Sequence, residues 1–227
     1  MKIDCLAEEM FEDTKHVTPK VINHEENYKH KPKGFGDNLA KIIVHISARC
    51  ADLIFKNRYG HRAVVLETIA AVPGIVGGMF QHLKALRYIR SDRGWIKELV
   101  AEAENERMHL IVYSEIYKPT TFERLLIMIV QLFFFIIYFL LYFFSARTAH
   151  RVVGYFEEEA THSYQHFLQL INDGLLENFP ATETAKKYWC LSDDAKLTDV
   201  VKATIKDELL HRDVNHTFAD DKNAGIF

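Results

Sequence analysis

One segment limits this chain more than any other. From Leu125 to Phe144 it reads LLIMIVQLFFFIIYFLLYFF, twenty residues without a charge. Wound as an α-helix this is about 30 Å long, the thickness of a bilayer's hydrocarbon core. Its only polar interruptions are Gln131, Tyr138 and Tyr142. By length and composition it reads as a single transmembrane helix, with a fully buried core helix as the competing reading, and the wealth of Phe favours lipid contact. Lys118 and Arg124 precede it and Arg147 and Arg151 follow it, so basic residues mark both ends and give no orientation.

The rest of the 227 residues is of ordinary composition. With 28 Lys and Arg against 31 Asp and Glu, no strong uniform field attracts polyanions, and no nucleic-acid partner is expected. Only 5 Pro and 10 Gly interrupt the chain, which favours long helices. Cys5, Cys50 and Cys190 are far apart and form no CxxC, which argues against a disulfide framework or zinc knuckle and fits a reducing location. The N-terminus, MKIDCLAEEMFEDTKHV, lacks an apolar signal core, and its acidic residues do not suit a standard mitochondrial presequence, so no clear transit peptide is visible in this chain.

Residues 1–36 read as an extended arm, 37–220 as one domain and 221–227 as a tail. Asp37 or Asn38 can cap a helix running to about Asn57, with Leu39, Ile42, Ile43, Ile46, Cys50, Leu53 and Ile54 at helical spacing. That stripe suits either a membrane surface or a core. A second helix covers roughly 62–90, where Pro73-Gly74 and Gly77-Gly78 should kink it or admit a close neighbour. Ser91-Asp92 caps a third, to about Tyr117. After the apolar helix come helices at about 146–171, 184–191 and 198–218. No stretch alternates as a strand does, so the fold class is all-α.

The carboxylates and histidines carry the chemistry. In a helix, residues i and i+3 share a face and can bind one ion. Among 18 Glu and 12 His in 227 positions, chance supplies about one Glu-x-x-His. This chain has three: Glu106/His109, Glu159/His162 and Glu208/His211. A ferritin-like di-iron four-helix bundle needs two such motifs plus one Glu from each of two other helices. Glu67, in the apolar run LETIAAV, and Glu157 are the candidates, giving the order Glu67, Glu106/His109, Glu157, Glu208/His211. Glu157 and Glu159 point about 200° apart, so only one can face a bundle. Glu159 shares its face with Arg151, His162 and His166, which reads as solvated. The competing reading is a helical membrane protein with charged helix faces.

LET at 66–68, NERMHL at 105–110, FEEEA at 156–160 and DELLHRDVNH at 207–216 closely resemble, in order, the four signature boxes of the alternative oxidases, the cyanide-insensitive ubiquinol oxidases of mitochondria. VPGIVGGM and the stretch leading into NERMHL are also similar to that family, and the likeness covers about residues 37–220. It implies two non-haem iron ions held by Glu67, Glu106, His109, Glu157, Glu208 and His211. Tyr164 matches a redox-active tyrosine, and Asn105, Asp207 and Trp189 match positions that orient ligands. Arg62, Leu66, Ala160 and Ser163 match positions around the quinol pocket. Ser163 stands where Thr is usual, and FEEEA replaces the usual LEEEA. The regulatory cysteine of plant members is not securely matched by Cys5 or Cys50.

The resemblance also bears on the uncharged helix. A bilayer crossing at 125–144 would hold Glu106 and Glu157 on opposite sides, whereas one metal centre needs both. The family is monotopic, a homodimer set in one leaflet through helices matching about 38–57 and 122–144. The implied fold is therefore a di-iron bundle plus two interfacial membrane-associated helices. The implied reaction oxidises ubiquinol and reduces O2 to water on the matrix side of the mitochondrial inner membrane, without pumping protons. A plastid-type quinol terminal oxidase and a di-iron quinone-ring hydroxylase are the alternatives, the latter disfavoured by NERMHL.

Overall fold

The computed structural model describes residues 28–56 and 58–221, so most of the expected arm and tail, Cys5 among them, lies outside the described residues. Seven helices follow in order: α1 Phe35–Phe55, α2 Tyr59–Tyr88, α3 Trp95–Ile116, α4 Thr121–Phe144, α5 Ala146–Asn172, α6 Glu183–Trp189 and α7 Leu197–Asp220. Among the described residues there is no strand, only an isolated bridge between Pro180 and Lys196. The fold is all-α.

Four of these helices form the bundle. α2 and α3 make one antiparallel pair, α5 and α7 the other, and both pairs approach closely because small residues line the seams. α2 runs unbroken through Pro73. A Cβ on Gly74 would stand 2.2 Å from the Leu99 carbonyl oxygen of α3, so only glycine permits this contact. On α5, a Cβ on Gly154 would stand 2.5 Å from the His216 ring of α7.

Helix ends follow local chemistry. α1 begins two residues before Asp37, behind Gly34, and Asp37 instead accepts from Lys33 N–H at 2.9 Å. Asp92 accepts from Ile96 N–H at 2.8 Å at the start of α3. Thr120 and Glu123 form a capping box at the start of α4. Glu123 also takes Arg58 at 2.8 Å and His61 at 3.1 Å, tying that end to α2.

α1 and α4 lie outside the bundle with an inverted pattern. In α1 the small residues Ala40, Val44 and Ala51, with Phe55, face the other helices, while Leu39, Ile42, Ile46, Leu53 and Ile54 are exposed. Apart from Ile43, which packs against the cluster of Ala40, Val44, Val152 and Tyr155, the sequence stripe therefore faces away from the core. Among the described residues two helices are long and apolar enough to cross a membrane, α2 and α4; the apolar window of α2 is 61% buried inside the molecule and that of α4 only 11%. In α4 the residues facing inward include Tyr138 and Tyr142, both buried. Gln131 Nε2 donates to the Thr68 carbonyl of α2 at 2.9 Å. Cys50 is free and exposed. Cys190, just after α6, is disulfide-bonded, against the expectation that the cysteines form no disulfide framework.

Candidate metal centre

Each of the four bundle helices brings one glutamate to the middle of the bundle. Glu67, Glu106, His109 and Glu208 form one buried group whose ligand atoms lie within 4.8 Å of one another, and Glu106, Glu157, Glu208 and His211 form a second. The two quartets share Glu106 and Glu208. That is the arrangement of two cation sites bridged by two carboxylates, each completed by one further Glu and one His.

All six side chains are at most 5% exposed. His109 Nδ1 faces Glu67 at 3.5 Å, Glu106 at 3.6 Å and Glu208 at 3.3 Å. His211 Nδ1 lies 2.7 Å from Glu106 Oε1. Yet Glu67 Oε2, both Glu106 oxygens, His109 Nδ1 and both His211 nitrogens have no aligned hydrogen-bond partner. A buried polar atom left unpaired costs about 1–3 kcal/mol, so this concentration of orphaned acceptors fits a site built for cations. Carboxylates and imidazoles together suit a first-row metal such as iron.

Electrostatics agree. Burial, and then Glu106, pushes the Glu67 carboxyl well above the usual carboxylate range. Burial and Glu208 do the same to Glu157. Glu106 is held well below that range, because the two imidazoles facing it outweigh its burial. Burial works against a charge on His211, but the carboxylates of Glu106, Glu102 and Glu208 raise it to about 9. Cations between these groups would replace protons shared among them.

A layer of polar side chains stands behind His109. Asp207 Oδ2 accepts from His109 Nε2 at 3.1 Å, Asn105 Nδ2 at 3.0 Å and Trp189 Nε1 at 2.8 Å. With Nε2 donating to a carboxylate, Nδ1 keeps its lone pair toward the cluster. Tyr188 OH, on α6, accepts from Asn105 at 2.7 Å; it has no place among the expected residues. Tyr164 is buried and its phenol donates to Glu67 Oε1. Tyr113 stacks on Tyr164, with centroids 5.5 Å apart. Tyr113 also went unread, although it lies one helical turn beyond His109 on the same face.

Arg62 and Ser163 line one cleft of about 380 Å³, together with Ala48, Asp52, Glu159, His162 and His166. Asp52 of α1, which is not among the expected site residues, pairs with Arg62. Leu66 and Ala160 are not in the lining of that cleft. They sit about one turn further along α2 and α5, toward Glu67 and Glu157. Glu159 and His162, the third Glu-x-x-His, line this cleft rather than the metal cluster.

Comparison with known proteins agrees with this geometry. A family model described as alternative oxidase matches residues 17–220. The chain is 52% identical over 196 residues to a protein named mitochondrial ubiquinol oxidase 2 from Arabidopsis thaliana, covering 86% of this chain and 56% of that protein. It is 52% identical over 189 residues to the mitochondrial ubiquinol oxidase of Batrachochytrium dendrobatidis, 83% of this chain and 60% of the relative. It is 47% identical over 207 residues to the ubiquinol oxidase of Trachipleistophora hominis, 91% of this chain and 65% of the relative. The chain thus spans a little over half to about two thirds of these relatives' lengths. With its ordered boxes, all-helical bundle and paired carboxylate–histidine cluster, the chain belongs to the alternative oxidase family.

Proposed function

We propose that this chain is a ubiquinol:oxygen oxidoreductase, which oxidises ubiquinol and reduces O2 to water without moving protons across a membrane. What carries this reading is the pair of buried quartets sharing Glu106 and Glu208. Glu67 and His109 would complete the site of one iron ion, and Glu157 and His211 that of the other. When bound, such a pair supplies one-electron redox steps and affinity for O2, which no side chain offers.

The chain's own residues do the rest. Asp207, held by Asn105 and Trp189, keeps His109 in the ligating tautomer. Tyr164 is an electron donor whose phenol proton already has an acceptor in Glu67 Oε1, so electron and proton can leave together. Arg62, held by Asp52, and Ser163 present polar groups to a quinol headgroup in the cleft. Leu66, 37% exposed, and Ala160 would give that headgroup apolar contact.

The membrane reading is monotopic. The outward apolar faces of α1 and α4 sit in one leaflet, and Ala48 and Asp52 of α1 border the cleft, so a lipid-soluble quinol enters directly from the leaflet. Ile75, Met79, Leu83 and Leu86 form an exposed apolar stripe on α2 that suits a second copy in a homodimer. Relatives named mitochondrial support a mitochondrial location, and within it we place the chain on the inner membrane with the bundle on the matrix side.

The test is oxygen consumption by the purified chain, loaded with Fe(II) in lipid vesicles and given ubiquinol in the presence of cyanide. Tyr164→Phe should leave two irons bound and nearly abolish consumption. Normal turnover by that variant would remove Tyr164 from the reaction, and iron binding without quinol-dependent consumption would sink the oxidase reading.

A further inference from the structure

Two buried carboxylates on α3 have no part in the reaction as described. Glu98, Glu102 and Glu106 are spaced four residues apart, so they line one face of the helix over about 12 Å. Glu106 belongs to the metal cluster. Glu98 stands in the first turn of α3, beside the exposed Lys97. Glu98 is 7% exposed and Glu102 3%, and one oxygen of each, Oε1, has no hydrogen-bond partner.

A buried carboxylate with an unmade hydrogen bond is costly, and a structural role would pair it. Among the described residues one donor holds Glu102, Asn215 Nδ2 at 2.7 Å to Oε2. That amide is itself fixed, because Asn215 Oδ1 lies 3.0 Å from His150 Nδ1, and His150 Nε2 lies 3.0 Å from Tyr142 OH. Asn215 therefore aims Glu102 while leaving Oε1 open. Neither Glu98 nor Glu102 has a hydrogen bond to any of the six cluster residues.

We propose that Glu98 and Glu102 form a proton relay, which carries protons from the aqueous surface at the start of α3 to the carboxylate cluster. This rests on the oxidase reading. Reducing one O2 to two waters takes four electrons and four protons, and quinol can deliver its electrons at a distance while releasing its protons elsewhere. In each passage a proton from water binds the Glu98 carboxylate, Glu102 gives its own proton to the cluster, and the Glu98 proton then refills Glu102. No charge crosses a membrane.

The protonation behaviour suits this task. Burial raises both carboxyls to about 7, so each exchanges a proton near neutral pH. Glu98 feels Lys97 and His211. Around Glu102 stand His211 and Glu208 of α7, Glu106 of α3, Glu157 of α5 and the buried phenol of Tyr138 from α4.

The experiment uses the iron-loaded full chain in vesicles and compares Glu102→Gln, Glu102→Asp and Glu98→Gln with wild type. Gln keeps the acceptor for Asn215 and removes only the acid. Glu102→Gln should keep two irons per chain, lose oxygen consumption by about tenfold or more, most of all below about pH 7 where the wild-type acid holds its proton and less above it, and lose an infrared carbonyl band of a protonated carboxylic acid. Glu102→Asp should regain the band and part of the rate, and Glu98→Gln should show the same pH-dependent loss at smaller size. An unchanged rate and pH profile in Glu102→Gln, or an unchanged band, overturns the relay. Loss of iron in Glu102→Gln also overturns it, by making Glu102 a ligand. A wild type that binds iron but consumes no oxygen fails the oxidase reading instead, and the band then decides separately whether position 102 holds an exchangeable proton.

Discussion

The centre of the bundle and the outer face of α1 and α4 invert the usual arrangement of a soluble protein. Glutamates and histidines fill the middle, at 5% exposure or less, while Phe35, Phe133 and Phe144 stand largely in the open at 85%, 61% and 79%. Both regions are costly in water alone. Cations can relieve the first, and lipid can relieve the second. Each region thus suits a different environment, and the two are built from different residues on different helices.

If that separation holds, the regions can be broken one at a time. The largest effect is expected from Glu106→Gln, because Glu106 belongs to both quartets. Iron content measured by metal analysis should fall from two per chain to near none, with loss of all turnover but not of vesicle binding. Next comes the pair Leu132→Lys and Phe133→Lys on the exposed face of α4. At about 2–3 kcal/mol for each charge placed in the apolar layer, partitioning into vesicles should drop by about a thousandfold in a flotation assay, with iron still bound. Iron loss in that variant would show that the two regions are not independent. The smallest effect is Asp207→Asn. It removes the carboxylate behind His109 and should cost about 10–100-fold in turnover or metal affinity, leaving membrane binding untouched.

Much of the centre could be read from the chain, because helical spacing alone brings i and i+3 to one face. Glu106/His109 and Glu208/His211 are visible in this way, and Glu67 stands out against its apolar neighbours. What could not be read depends on tertiary approach. Tyr188 and Asp52 are reached only once α6 and α1 have docked. The orientation of α1 was open because both of its faces are apolar: larger Leu and Ile point outward, while Ala40, Val44 and Ala51 let α5, α2 and α4 come close. Glu98 and Glu102 look like ordinary surface acids in a charged helix, and only burial sets them apart.

The three polar side chains within the uncharged stretch of α4 have a consequence beyond hydrogen bonding. Gln131, Tyr138 and Tyr142 are spaced seven and four residues apart, so they form a single line along the helix. For a cylinder that is greasy all round, lipid supplies no torque and every rotation about the axis costs nearly the same. Gln131 bonded to the Thr68 carbonyl, and Tyr142 bonded to Gln81 and His150, act as a key in a slot. Thr68 follows Glu67 directly, so the azimuth of α4 is indexed to the backbone that carries one carboxylate of the centre. Exchanging these three residues for apolar ones would hardly change the hydropathy of α4, yet it would remove the hydrogen bonds that index its middle and far end and leave the polar ties at Glu123.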